Sequence, residues 1–239
     1  MEGIERTELL FILRCPLDGM ELNSKLRCPQ GHQYTINNGF VDFLEGQTKE
    51  GFLERIARIY EGLWAPLGFA LSSRRSYEWM ARKSIFSSGR IVLDVATGTG
   101  KSFDYVNCEL CIGLDVSARL LAEAKKRRPH LQLIRADAMR IPLSDGSIDG
   151  VIFNLAFHLI PNKTKALEEV ERVLKKGGRL TMTTLVSDTT LGKALGTLFH
   201  AEPLRTSELH ELAKTVGLKV EHSEINGAWL TIQAIKDNR

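Results

Sequence analysis

One stretch, IVLDVATGTG at 91–100, constrains the fold of this chain more than any other. Four apolar residues surround a single acid, Asp94, and a run this apolar is typical of a β-strand buried on both faces. The run ends in Gly98-Thr99-Gly100, where the backbone can approach a ligand closely and a helix can begin. A strand followed by such a turn predicts an open α/β sheet with a nucleotide site at the carboxyl end of its first strand.

The spacing around the turn narrows the kind of nucleotide. A dinucleotide fingerprint would place its third glycine at Phe103, and a P-loop would place its first glycine at Val95. A second acid, Asp115, follows Asp94 by 21 residues at the end of the next apolar run, where a carboxylate suits a ribose diol. These residues favour another nucleoside cofactor and leave a nicotinamide oxidoreductase as a weaker alternative.

The rest of the chain alternates apolar strands and amphipathic helices, which predicts a doubly wound α/β fold with right-handed crossovers. Strands are expected at 91–95, 111–115, 131–135, 148–154, 179–185, 218–224 and 228–235. Helices are expected from Lys101, at 118–128, at 163–176 before Gly177-Gly178, and at 207–216. We therefore expect a Rossmann-like, seven-stranded sheet with helices on both faces.

Turn and linker residues divide the chain into three segments. Residues 1–46 form a small β-rich unit, with turn pairs at Asp18-Gly19 and Gln30-Gly31. Residues 47–89 begin with a polar linker and continue as a helical segment placed to cover an acceptor site. Residues 90–239 form the α/β domain. We call residues 1–46 the head and residues 90–239 the core.

Composition excludes few classes of protein. A net charge of +3 permits an acidic partner but does not demand one. No apolar run is long enough to span a bilayer, and the N-terminus lacks a basic-then-apolar signal, so we expect a cytoplasmic protein without a membrane span. The sequence leaves the oligomeric state open.

These motifs resemble those of class I S-adenosylmethionine-dependent methyltransferases, in the group that includes ubiquinone/menaquinone methyltransferases. LDVATGTG at 93–100 is similar to the family's first motif, with Ala96 where many members have glycine. GLDVS, RADAMRIPLSDGSIDGV and ALEEVERVLKKGGRL resemble the later motifs in family order. The resemblance implies S-adenosyl-L-methionine as cofactor and an antiparallel last strand.

The resemblance also implies roles for single residues. Amides of Gly98 and Gly100 meet the methionine end of the cofactor, and Asp94 faces its ammonium group or, alternatively, caps the loop. Asp115 accepts the ribose hydroxyls, and Asp137 and Ala138 contact adenine. Asn154 ends the strand beside the transferred methyl group. The candidate cofactor-binding residues are Asp94, Ala96, Thr97, Gly98, Gly100, Asp115, Val116, Asp137, Ala138 and Asn154.

No catalytic residue is assigned firmly. His158 follows Asn154 by one helical turn and is a candidate general base, although most single histidines after a strand are structural. Tyr60 is a second candidate, on a face that otherwise reads as packing. Methyl transfer needs little beyond alignment, so a base can be absent.

The head carries a second set of candidate residues. CPLDG and CPQGH resemble the two knuckles of the zinc unit in large-subunit rRNA guanine-N1 methyltransferases, which makes Cys15, Cys28 and His32 candidate zinc ligands. Asp18 stands where the family's second cysteine belongs, and structural zinc sites favour sulfur and imidazole. The alternative is a metal-free unit held by apolar packing.

Three functions stay open at this point. A small organic, lipid or quinone-like acceptor is favoured by the apolar helical segment. An rRNA or tRNA base is favoured by the knuckle-like head and by basic pairs at Arg74-Arg75 and Arg82-Lys83. A non-catalytic adapter that keeps the fold is the remoter alternative.

Overall fold

A computed structural model describes residues 8–45 and 65–237. The strands within these two ranges form one nine-stranded sheet. They are β1 (Thr35–Asn37), β2 (Phe40–Asp42), β3 (Ile91–Val95), β4 (Leu110–Asp115), β5 (Gln132–Arg135), β6 (Ile148–Asn154), β7 (Leu174–Leu185), β8 (Leu218–Asn226) and β9 (Trp229–Lys236). Each of the seven strands expected from the sequence is present. Six have ends within two residues of those expected, and β7 begins five residues earlier than expected.

The helices are α1 (Glu8–Ile12), α2 (Ala65–Ser73), α3 (Tyr77–Lys83), α4 (Ala118–Arg127), α5 (Lys163–Val173), α6 (Thr190–Leu198) and α7 (Thr206–Thr215). Short 3-10 turns occupy Ser84–Ser87, Lys101–Asp104 and Phe157–Leu159. The expected helix at 118–128 is α4, and Ser117 caps its first turn by accepting the N–H of Leu120. Candidate Tyr60 lies outside the described residues, as does the linker before it.

The sheet order is β1-β2-β5-β4-β3-β6-β7-β9-β8. β3 pairs in parallel with β4 on one side and with β6 on the other, so the chain reverses its winding direction at β3. Ligands of open α/β sheets bind at this kind of switch point, outside the carboxyl ends of the strands. β9 pairs antiparallel with β7, as the resemblance implies.

The head joins the core through its second strand. β2 pairs in parallel with β5 and extends the core sheet, with Val41 opposite Ile134. β1 then pairs antiparallel with β2. The apolar residues of both parts share one hydrophobic cluster, in which Leu13 and Phe43 of the head are buried with Ile134 and Leu143 of the core.

The end of α5 also differs from expectation. The helix stops at Val173, and Leu174 already belongs to β7, where it pairs with Ile148. Leu174 continues the apolar stripe of the helix and suits a buried strand equally well, so periodicity cannot mark this boundary. Within residues 8–45 and 65–237, no helix is long and apolar enough to cross a membrane.

Candidate functional site

The turn after β3 is built from left-handed backbone. Ala96, Gly98 and Gly100 have φ angles of 56°, 57° and 78°. A Cβ on Gly100 would lie 2.6 Å from Leu131 Cδ1, so that side chain would have to shift, and the left-handed φ itself favours glycine. Ala96 adopts a conformation that costs an L-residue about 1–2 kcal/mol, so glycine would suit its position better.

Asp94 is buried at the base of this turn. The Thr97 hydroxyl donates to Asp94 Oδ2 at 2.9 Å, and the Thr97 N–H donates to the Leu114 carbonyl at 2.9 Å. The loop-capping role weighed from the sequence is therefore present. A buried carboxylate at this position matches the charge of a cationic ligand.

Asp115 joins the glycine turn to the next loop. Its Oδ2 accepts the N–H of Gly98 at 2.9 Å, and its Oδ1 accepts the N–H of Ser117 at 2.9 Å. The carboxylate is thereby fixed at the carboxyl end of β4, beside the switch point. Val116, the next residue, has an apolar side chain that is 55% exposed at this edge of the sheet.

The loop after β5 continues the same edge. Asp137 is half-buried, and its Oδ1 accepts the N–H of Met139 at 2.8 Å. Ala138 is buried between them. Val116 and Ala138 follow neighbouring parallel strands, so this edge offers apolar surface together with a carboxylate, which suits a purine.

Asn154 ends β6 on the other side of the switch point. Its Nδ2 donates to the Ser84 hydroxyl at 2.9 Å. Its Oδ1 is buried and has no hydrogen-bond partner among the described residues. A buried acceptor without a partner costs about 1–3 kcal/mol, so a donor from a bound ligand would relieve it. The chemistry of this edge fits a cofactor with an ammonium, a ribose and an adenine.

His158 lies near this edge but is buried, with 4% of its surface exposed. Its Nδ1 lies 3.4 Å from the Thr184 hydroxyl and 3.5 Å from the backbone nitrogen of Leu185, which donates to it. Burial, helped by the charge of Lys163, lowers the pKa of His158 to about 3. The imidazole is neutral and its Nδ1 is occupied, an environment that favours the structural alternative over a general base.

The head brings four potential metal ligands together. Cys15, Asp18, Cys28 and His32 each offer one ligand atom, and these atoms lie within 4.8 Å of one another. His32 Nδ1 is 3.5 Å from Cys15 Sγ, 3.4 Å from Cys28 Sγ and 3.1 Å from Asp18 Oδ2. A tetrahedral zinc ion separates its ligand atoms by about 3.3–3.8 Å, so the three His32 separations are close to those of a zinc site, and the donors are of suitable chemistry.

Asp18 completes this cluster as a carboxylate. The N–H of Met20, together with the neighbouring thiols and imidazole, holds the pKa of Asp18 at about 2. The hydroxyl of Tyr34 lies 3.1 Å from Cys15 Sγ, behind the cluster. The contact of Tyr34 with Cys15 was not predicted from the sequence. The only local signal for it is that Tyr34 lies two residues after His32.

Two further contacts of the site were not foreseen either. Ser84 holds Asn154 although the two are 70 residues apart, and no local pattern marks a buried serine as a partner. Arg135, the last residue of β5, donates to the carbonyl of Val116. The remaining pair of cysteines, Cys108 and Cys111, forms a disulfide at the start of β4, away from this edge.

Comparison with known proteins identifies the core. Residues 93–182 match the methyltransferase domain family. A demethylmenaquinone methyltransferase of Renibacterium salmoninarum is 40% identical over 94 residues, which are 38% of this chain and 40% of that protein. A ubiquinone/menaquinone biosynthesis C-methyltransferase of Syntrophotalea carbinolica is 32% identical over 148 residues, 58% of this chain and 62% of that protein. The chain thus spans about two fifths of the length of the first relative and three fifths of the second.

Solved structures agree with this fold. A complex between the Haloferax volcanii Trm112 methyltransferase activator and a methyltransferase contains a chain that superposes with a TM-score of 0.68 at 16% identity, covering 80% of this chain and 100% of that one. An S-adenosylmethionine-dependent methyltransferase of Thermotoga maritima superposes with a TM-score of 0.61 at 23% identity, covering 77% and 98%. Residues 93–182 therefore carry a methyltransferase domain, and the core has the fold of the solved S-adenosylmethionine-dependent methyltransferases.

Proposed function

We propose that the protein is a cytoplasmic enzyme that transfers a methyl group from S-adenosyl-L-methionine to a small, quinone-like organic acceptor. One observation carries the proposal. A fixed carboxylate at Asp115, a left-handed glycine turn and the unpartnered Oδ1 of Asn154 meet at the switch point of one sheet. At this edge of the sheet, a nucleoside would bind on the β4 side of β3, and the reacting group would lie on the β6 side.

When bound, S-adenosylmethionine would supply an activated methyl group to an electron pair of the acceptor. The residues of this chain bind and orient. Asp115 is held by two backbone N–H groups, so its acceptor positions are fixed before a ribose arrives. Alignment supplies most of the acceleration, so the proton that the acceptor loses on methylation can pass to water rather than to a side chain.

Two observations support a small acceptor over an RNA base. The relatives named above act on quinone precursors by their names. A cleft of about 1180 Å³ between the head and the loop after β5 mixes both signs of charge, with Arg14, Arg140, Lys165 and Arg172 facing Glu45, Asp137, Asp145 and Glu169. A groove for a polyanion would instead carry one sign.

The test begins with binding of S-adenosylhomocysteine, measured by titration calorimetry on the wild type and on Asp115→Asn. Because charge-assisted hydrogen bonds to the ribose are worth about 1.5–3 kcal/mol, we expect the variant to bind about 10- to 100-fold more weakly. Asp149→Asn is the matched control. Asp149 accepts the N–H of Ile91 at the opposite, amino end of the sheet, so its loss should leave this affinity unchanged.

The acceptor is then sought with S-adenosylmethionine labelled on the methyl group and with extract separated into RNA, protein, lipid and small-molecule fractions. We expect label in the lipid or small-molecule fraction. Label in RNA would replace this acceptor with a nucleic-acid base. Binding of the cofactor without any transfer would favour the adapter, and absence of cofactor binding would refute the proposal.

We also propose that the head holds one zinc ion through Cys15, Asp18, Cys28 and His32. The proposal is supported by four donors of suitable chemistry whose ligand atoms all lie within 4.8 Å of one another. Two buried thiols beside a carboxylate and an imidazole have little other reason to converge in so small a unit. An ion there would tie the two knuckle loops together, as structural zinc does in small units.

Metal content tests this second proposal. Wild type purified from zinc-supplemented medium should carry about one zinc per chain, and Cys28→Ser should lose it. His210→Gln is the control, because His210 contacts Ser223 on the surface, far from the head in sequence. Removal of the metal by a chelator should lower the melting temperature of the wild type. A metal-free wild type with an unchanged melting temperature would refute the site.

A further inference from the structure

Arg135 is the point where the head and the cofactor edge meet. It ends β5, the strand that pairs with β2 of the head on one side and with β4 on the other. Its guanidinium Nη1 donates to Asp42 in the head, at 3.1 Å from Oδ2 and 3.4 Å from Oδ1. Its Nε donates to the carbonyl of Val116 at 3.0 Å. One side chain therefore contacts both parts.

Asp42 is placed to orient this guanidinium. It ends β2 directly opposite Arg135, and its side chain is 3% exposed, against 13% for that of Arg135. Its Oδ1 also accepts the N–H of Leu44 at 2.9 Å, which fixes the carboxylate. A buried ion pair has strict geometry, because a displaced partner leaves an uncompensated charge. The head thus sets the position of the Arg135 side chain.

The Val116 carbonyl lies within the candidate cofactor loop. Val116 stands between Asp115, whose carboxylate we place on the ribose, and Ser117, whose N–H binds that carboxylate. The backbone carbonyl of Asp115 is held separately by the N–H of Ala136 at 3.1 Å. The two consecutive carbonyls of the loop are therefore both held from the end of β5, one by backbone and one by the Arg135 side chain.

We propose that Arg135 is a positioning residue through which the head, by way of Asp42, orders the loop that binds the adenosine half of the cofactor. The inference rests on the proposed function of the cofactor edge. It gives the head a task in cofactor binding that does not require the head to touch the cofactor or the acceptor. It also explains why a strand of the head is paired with β5.

Arginine is suited to this task and lysine is not. A guanidinium presents several donors in a fixed fork, so one face can bind Asp42 while Nε binds the Val116 carbonyl. The single ammonium of lysine can keep the ion pair with Asp42, but it cannot hold both partners at once. Arg135→Lys therefore separates the stabilising ion pair from the contact to the loop.

The experiment measures binding of S-adenosylhomocysteine by calorimetry and the melting temperature in parallel. For Arg135→Lys we expect a melting temperature within a few degrees of the wild type and a dissociation constant raised about five- to tenfold. Asp42→Asn keeps an acceptor for the Leu44 N–H but loses the charge that orients Arg135. Asp42→Asn should raise the dissociation constant by a similar factor. The double variant should bind no more weakly than whichever single variant binds more weakly, because both changes act on the same contact.

Asp149→Asn again serves as the control for general destabilisation. Its carboxylate pairs with Lys175 and binds the N–H of Ile91, so its loss should lower the melting temperature without changing the dissociation constant. Wild-type affinity in both Arg135→Lys and Asp42→Asn would overturn the inference and leave the proposed function intact. If the losses of binding free energy in the two single variants add fully in the double variant, Asp42 does not act through Arg135, and that part of the inference is wrong. A wild type that binds no S-adenosylhomocysteine would refute the proposed function and this inference with it.

Discussion

The buried His158 should make the stability of the protein depend on pH in a way that one substitution removes. Folding lowers the pKa of this imidazole from 6.5 to about 3, chiefly through burial. Below pH 6.5 the unfolded chain binds a proton that the folded chain does not accept until the pH approaches 3. The unfolded state therefore gains protons as the pH falls, and stability is lost across that window.

The size of the effect follows from the same pKa values. Each pH unit below 6.5 costs about 1.4 kcal/mol of unfolding free energy, so a change from pH 7 to pH 5 costs about 2 kcal/mol at this residue. Because pH 5 lies well above the folded pKa, nearly all of this cost comes from protonation of the unfolded chain.

The assay compares urea unfolding of the wild type and of His158→Asn at both pH values. The asparagine oxygen can replace Nδ1 as acceptor for the Leu185 N–H but does not titrate in this range. Other groups titrate alike in both proteins, so their contributions cancel in the difference. We expect the wild type to lose about 2 kcal/mol more than the variant between pH 7 and pH 5. Equal losses would refute the assignment of a buried, neutral imidazole.

Two further substitutions test the cofactor edge. Gly100→Ala forces a left-handed alanine and brings its Cβ within 2.6 Å of Leu131, so it should lower stability by about 2 kcal/mol or more in urea unfolding and weaken S-adenosylhomocysteine binding. An unchanged midpoint would contradict the strained turn. Ser84→Ala leaves the Asn154 amide without its acceptor and should cost about 1–3 kcal/mol, measured in the same way. A neutral effect would show that this contact does not hold Asn154.

The core could be predicted from the sequence because its signals are local. The run before Gly98 is apolar on both faces of a buried strand, and Asp115 ends the next run at the distance a ribose acid requires. A single position can mislead even here. Leu174 suits a helix stripe and a buried strand alike, and only its pairing with Ile148 places it in β7.

The place of the head could not be predicted in the same way. β1 and β2 have three residues each, too few for a period to be recognised, and their partner strand β5 is remote in sequence. The ion pair between Asp42 and Arg135 depends on that pairing, so it has no local signal either. By contrast, the convergence of Cys15, Cys28 and His32 was expected, because CPLDG and CPQGH are both local patterns that can be recognised in the sequence.

The pairing of β2 with β5 has a consequence for how the chain is made. Phe40 leaves the ribosome roughly ninety residues before its partner Leu133, which at about 5–20 residues per second is a delay of several seconds. During that time the apolar strand β2 has no sheet to join. β2 therefore cannot dock until β5 has been made, and until then the nascent chain carries an exposed apolar strand that a chaperone could protect.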